Sequence, residues 1–423
     1  VAKPRVSLCL IAKDEEAVIG RCLSSVKGAV DEIVVVDTGS TDRTVAIAQS
    51  FHARIGHFTW VSDFAAARNA ALDLATGDWI LSIDCDEWLL ASSVTAIRRL
   101  VAQPAPWPST YGAKIWTVSD KEGLPIWTSL YRMSLFPRSP ELRWIRPIHE
   151  QIEYLTKPNG QRYVTVDDFV ILHDGYLKAT WEAKQKEQRN FVLLQAECDA
   201  KPDEPFVWMN LATQYSYADR HAEALDAAER CIALARTQKA PGTDISALAH
   251  VWMAQAFTVA TSACLALGQW DRGVKIAGEG IRAHPGYPDI HTNLALCYLN
   301  MGRYNSALGE FEMALRLQKQ PHAYPSDPSR WRALRGMAQA YIGLGEHVRA
   351  IECYWAALKD APNHLGLITE AGIPLAAIGE TEEAARYWRL VLAKNPSDRF
   401  AAKLLNQGLA QVRQLQEKVN DAS

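Results

Sequence analysis

The sequence has no excess of basic residues: 45 Lys and Arg stand against 48 Asp and Glu, a formal net charge of −3. A chain so balanced carries no general electrostatic footprint for nucleic acid or an anionic membrane surface. No apolar run is long enough to span a bilayer. Val6 to Ala12 follows Lys3 and Arg5 in the manner of a signal peptide. It is short, however, and runs straight into Lys13-Asp14-Glu15-Glu16, so it reads as a strand. Paired cysteines are missing too. The eight cysteines are scattered with no C-x-x-C. That excludes a zinc ribbon or a disulfide framework and fits free thiols of a reducing compartment, so the expected location is cytoplasmic. What is present is ordinary: 423 residues, 48% of them hydrophobic and 22% charged. That length exceeds one core, so two domains or more are expected.

The centre of the first domain is Trp79-Ile80-Leu81-Ser82-Ile83-Asp84-Cys85-Asp86-Glu87. An apolar run entered from the turn signal Thr76-Gly77-Asp78 predicts a buried strand. Asp84 and Asp86 at its carboxyl end are either solvated or aimed together at a hard divalent cation. Before it, Val6–Ala12 predicts a first strand, and Val18, Ile19, Cys22, Leu23 and Val26 share one helix face. Ile33–Val36 predicts a second strand, ending at Asp37-Thr38-Gly39-Ser40-Thr41-Asp42, and a helix over Thr44–Phe51 follows. Strand–helix alternation means parallel pairing with right-handed crossovers, and ligands then bind beyond the strands' carboxyl ends. Asp37 and Asp84 both sit at such ends. Arg68, in the first turns of a helix over Ala65–Ala75, forms an ion pair with nearby acids or points at a diphosphate in the same crevice.

The four segments Ser7–Glu16, Ile33–Asp42, Asp63–Asn69 and Gly77–Glu87 resemble, in order and spacing, the motifs of family-2 glycosyltransferases of the GT-A fold. The resemblance covers the N-terminal domain alone. It implies a nucleotide-sugar donor (UDP-linked), a divalent metal (Mn²⁺ or Mg²⁺) and inversion at the anomeric carbon. It assigns Asp37 to the uracil edge, Arg68 to the neighbourhood of base and diphosphate, Asp84 to the ribose side and Asp86 to the metal. Many members carry two acids where this chain has Asp37-Thr38, so the base contact is shared between those two positions. Ala12 and Glu15, at the end of the first strand, go to the donor as well. His173 resembles the histidine that completes the metal site, the alternative being a strand-end His bonded to backbone. The chemistry asks for such parts: a diphosphate leaves well only when its charge is neutralised, and an inverting displacement needs a base for the acceptor.

From Val101 to Pro108 the chain turns Pro-rich. Strand-like segments follow at Gly112–Val118, Ser129–Phe136, Gln151–Tyr154 and Val164–Tyr176. Between them, Arg143-Trp144-Ile145-Arg146-Pro147-Ile148-His149-Glu150 is the densest remaining polar cluster. Glu150 is the candidate base, with His149 and Asp120 in reserve.

After Tyr176 no strand pattern recurs. Thr180–Cys198 predicts one charged helix. Then Asn293, Leu294, Ala295, Tyr298, Gly302, Tyr304, Ala307, Phe311 and Ala314 fit the tetratricopeptide template, with small residues where helices cross and aromatics between repeats. Trp208–Ala224, Ala338–Pro362 and Gly372–Pro396 fit it too, and Thr243–Pro285 fits loosely. The count is about five units, closed by a polar helix from Arg399.

The fold expected is therefore an α/β, Rossmann-like GT-A domain with a mostly parallel sheet, followed by an all-α tetratricopeptide superhelix. Expected boundaries are 1–178 for the GT-A domain, 179–203 for a linking helix, 204–398 for the repeats and 399–423 for the cap and tail. The pairing of domains resembles bacterial transferases that place hexoses on peptides, including the sublancin-type enzymes acting on cysteine. The expected acceptor is a peptide or protein held by the repeat groove, and the repeats are also a route to a homodimer. Two alternatives stand: transfer to a lipid-linked glycan, cell-wall polymer, small molecule or modified nucleobase, and a non-catalytic repeat scaffold.

Overall fold

The computed structural model describes residues 3–103, 109–117, 130–156, 162–173, 180–238, 252–318, 330–408 and 410. The chain forms two compact units, Val1–Pro202 and Asp203–Ser423. Asp120, the reserve base, lies outside the described residues.

The first unit opens with β1 (Val6–Ala12), α1 (Ile19–Ser25), β2 (Glu32–Asp37), α2 (Thr44–Ser50), β3 (Arg54–His57), α3 (Phe64–Leu74) and β4 (Trp79–Ser82). It continues through β5 (Glu87–Leu89), α4 (Ala91–Ala102), β6 (Ser109–Thr117), β7 (Leu130–Pro137), β8 (Leu142–Ile145), β9 (Gln151–Tyr154), β10 (Arg162–His173) and α5 (Thr180–Ala200). Eight strands form one sheet in the order β3-β2-β1-β4-β7-β6-β10-β5, and β8 pairs with β9 beside it. The first four of the order run parallel. β7 is antiparallel to both β4 and β6, and β10 runs parallel to β6. The carboxyl ends of β1, β2, β4 and β10 thus share one edge of the sheet with the amino end of β7.

Parallel strands buried on both faces read as continuous apolar runs, and β1 is buried along nearly its whole length. Leu8 and Leu10 pack with Ile19, Leu23 and Ile97 on one face. Cys9, Val34, Val36 and Ile80 pack on the other with Phe136 and Trp144. Ala65, Ala67 and Ala71 are the buried small residues by which α3 settles closely on that face. Asp63 caps this helix, accepting from the Ala66 N–H at 2.9 Å. The apolar run expected as one strand from Trp79 to the acids stops at Ser82. Asp84 accepts from the Glu87 N–H at 3.1 Å in a turn, and β5 begins there.

Among its described residues the second unit holds five antiparallel helix pairs: α6 (Pro205–Tyr217) with α7 (His221–Thr237), α8 (Met253–Ala266) with α9 (Trp270–Ala283), α10 (Pro288–Asn300) with α11 (Tyr304–Leu317), α12 (Arg330–Gly343) with α13 (His347–Asp360), and α14 (Leu365–Ala377) with α15 (Thr381–Lys394). A further helix begins at residue 399. The turn within four of the pairs is made by a left-handed glycine, such as Gly302 at φ 72°. Between pairs, glycine makes room for aromatic rings: a Cβ at Gly336 would stand 2.1 Å from Phe311 Cζ. No helix among the described residues is long and apolar enough to cross a membrane.

Candidate active site

A cleft of about 640 Å³ lies along the carboxyl edge of the sheet. Its lining includes Ala12, Glu15, Thr38, Arg68, Asp84, Asp86, His149 and Glu150, which are far apart in sequence. One wall is two loops stapled together. The Asp14 carboxylate accepts from the Thr41 N–H at 2.7 Å, the Glu15 N–H donates to Thr44 Oγ1 at 2.7 Å, and the Arg43 N–H donates to the Glu16 carboxylate at 3.1 Å.

Asp37 does not line the cleft. It is buried in its own turn, where its carboxylate accepts from the Gly39 N–H at 3.2 Å and the Ser40 N–H at 3.1 Å. Thr38 lines the cleft in its place, with its N–H and hydroxyl both on the Ala12 carbonyl, at 2.9 and 3.2 Å.

The polar centre is an alternating chain of charge, Glu150–Arg68–Asp84–Arg132–Glu87. Arg68 Nε donates to Glu150 Oε1 at 2.5 Å and Nη2 to Asp84 Oδ1 at 2.7 Å. Arg132 Nη1 donates to Asp84 Oδ2 at 3.2 Å and to Glu87 Oε1 at 2.8 Å, and Nη2 donates to Glu87 Oε2. Glu87 also accepts from the Asp84 N–H at 2.8 Å. Of the two readings open for Arg68, the ion pair is the one present, and it is internal: its side chain is 12% exposed and that of Glu150 14%. Burial alone would raise the Asp84 carboxyl, but Arg68 and Arg132 outweigh it and hold Asp84 well below the usual range. For Glu87 burial wins and the carboxyl is raised.

Asp86 and His173 meet, with His173 Nε2 3.6 Å from Asp86 Oδ2. The Asp86 carboxylate raises the imidazole above its ordinary value. β10 pairs with β5 so that His173 stands opposite Glu87, which brings it to the turn that carries Asp86. Asp84, grouped with these two as a metal ligand by the sequence reading, has both carboxylate oxygens on guanidiniums instead. Among the described residues no three His, Cys, Asp or Glu side chains converge as a ready metal site.

The description "Glycosyl transferase family 2" matches residues 7–147. The first unit carries a family-2 glycosyltransferase domain. The description "Tetratricopeptide repeat" matches residues 265–325, within the helical array. The chain is 44% identical over 153 residues to a TPR repeat-containing protein of Synechococcus elongatus, covering 36% of each chain. It is 26% identical over 231 residues to the SPbeta prophage-derived glycosyltransferase SunS of Bacillus subtilis, covering 54% of this chain and 53% of that one. A glycosyltransferase of Rickettsia felis is 44% identical over 85 residues, 20% of this chain and 30% of its own. The chain thus spans about a third to a half of the length of these curated relatives.

The glycosyltransferase domain holds several site residues that carry no role in the sequence reading. Arg132 is the third residue of the antiparallel β7, so it reaches the site from near the amino end of a strand, where no strand-end motif marks it. Asn69 ties α3 to β8, its amide donating to the Trp144 carbonyl at 2.9 Å and accepting from the Trp144 N–H at 2.9 Å. Trp60, Arg189 and Asn190 also line the cleft. The last two come from α5, beyond the residues that match the family.

Proposed function

We propose that the chain is an inverting glycosyltransferase that moves a hexose from a UDP-sugar to a peptide or protein side chain held partly by the repeat array. The observation that carries this reading is the gathering of Thr38, Asp84, Asp86 and Glu150, from separate motifs, around one cleft at the edge where such sheets bind ligands. The repeat match supports a protein acceptor, since stacked helix pairs present an extended binding surface.

The uracil edge falls to Thr38 and the backbone after Ala12, because Asp37 is spent on its own turn. Asp84, fixed by two guanidiniums, presents a rigid acceptor to the ribose side. Arg68 holds Glu150 by one carboxylate oxygen, which orients the other for the acceptor's proton. Asp86 and His173 fit a divalent cation: a hard oxygen and an imidazole 3.6 Å apart can share one ion. Such an ion, when bound, supplies the positive charge that a departing diphosphate requires. The charge chain explains the need: three carboxylates stand against two guanidiniums before Asp86 is added.

The test is a panel of nucleotide-sugars with Mn²⁺ or Mg²⁺, reading release of nucleoside diphosphate. Slow release from a UDP-hexose, accelerated by peptide acceptors, is expected. No release from any donor, with or without metal, would refute the reading. Acceleration by a lipid-linked glycan and not by peptide would reassign the acceptor.

A further inference from the structure

Resting on the glycosyltransferase reading, we propose that Arg189 of α5 binds the donor's diphosphate. Lys13, Arg68 and Arg189 are the Lys and Arg side chains of the cleft lining, set against Asp14, Glu15, Asp84, Asp86 and Glu150. Arg68 is committed to Asp84 and Glu150. Arg132, the other guanidinium of the charge chain, is committed to Asp84 and Glu87. A nucleoside diphosphate entering this cleft meets more carboxylate than free cation.

Arg189 is held differently. Its guanidinium carbon sits 4.9 Å from the Phe64 ring centroid, and its Nη2 donates to the amide oxygen of Asn190 at 3.2 Å. Both direct partners are neutral; Glu150, already bonded to Arg68, acts on it only through space, and among the described residues no carboxylate forms an ion pair with it. Phe64 is itself fixed, edge-on to Trp60 at 4.8 Å and with its N–H on the Pro147 carbonyl at 2.9 Å. A ring that orients a guanidinium without neutralising it leaves its planar donors for a phosphate, which they match in pairs. The residue lies outside 7–147, so the family match does not reach it.

The experiment compares UDP, UMP and uridine binding to wild type, R189Q and R189K by calorimetry at saturating Mn²⁺. A charge-assisted bond contributes about 1.5–3 kcal/mol, so R189Q should bind UDP at least about tenfold more weakly. Uridine binding should be unchanged, UMP intermediate, and R189K should recover part of the loss. Equal UDP affinity in wild type and R189Q overturns the proposal and leaves the glycosyltransferase reading standing. Equal losses for UDP and uridine also overturn it, because Arg189 would then act on the base or on cleft shape. If wild type binds no nucleoside diphosphate, the underlying reading fails first. Matching unfolding midpoints show that the variants are folded.

Discussion

Glu87 is a carboxylate with 2% of its side chain exposed, and Arg132 is the cation that makes its burial tolerable. Burial raises its carboxyl and Arg132 works against that rise. A carboxyl raised on folding binds its proton more tightly in the folded state. Folding is therefore favoured below the ordinary glutamate range and disfavoured above it. R132M should lift Glu87 further, so the variant should lie close to wild type in acid and fall behind as pH climbs. Near neutrality the gap should approach about 3 kcal/mol, the low end for a broken buried pair because Arg132 is itself 33% exposed. Unfolding midpoints from about pH 4 to about pH 8 would show it; a gap constant with pH counts against it, and E87Q in the R132M background should close most of it. Glu150 carries the second residue-scale prediction. E150Q keeps its shape and its bond to Arg68 and removes its basicity, so transfer should fall by about 10²–10⁴-fold while UDP affinity holds. Loss of UDP binding instead would move Glu150 to the donor side. A thiol acceptor would soften the effect, since Cys already supplies some thiolate. Glu150 is legible in the sequence as the densest late polar cluster. Its pairing with Arg68 is not, because 82 positions separate them and only the finished sheet brings α3 beside that loop.

The loop between β8 and β9 is the element that sets Glu150 in place, and its backbone is strained. Arg146 has φ 81° and His149 φ 51°, each costing about 1–3 kcal/mol, a strain that persists only where the surroundings impose it. The surroundings here are α3 and α5. α3 holds the loop through the Phe64 N–H on the Pro147 carbonyl, and β8 at its entrance through Asn69. From α5, the Glu197 carboxylate accepts from Arg146 Nη1 at 3.0 Å with 2% of its side chain exposed. E197Q should therefore lower the unfolding midpoint and cut transfer by about tenfold, since small displacements of a positioned group are costly, with UDP affinity little changed. Wild-type transfer by E197Q would show that α5 does not set the loop. At this scale the strand–helix alternation up to Glu87 is legible, because period and turn residues agree there. β3, β5 and β8, each three or four residues long, are not among the segments expected as strands.

At the scale of the whole molecule, about five repeats are expected, and among the described residues the second unit holds five helix pairs. The small and aromatic signature positions report packing between neighbours, and a pattern of that kind survives in sequence even where the Thr243–Pro285 unit has drifted. The expected linking helix is legible as a helix but not by allegiance. It falls inside the first unit, which ends at Pro202, well past the last family-matched residue, 147. The helix gives Arg189 to the cleft and Glu197 to the loop that carries Glu150. Recombination inherits a constraint from this. A chimera spliced just after residue 147 would take Glu150, His173, Arg189 and Glu197 from one parent and their partners Arg68, Asp86, Phe64 and Arg146 from the other. A chimera spliced between Pro202 and Asp203 would inherit each of those pairs from a single parent, so a repeat array can be exchanged without splitting them only on the far side of α5.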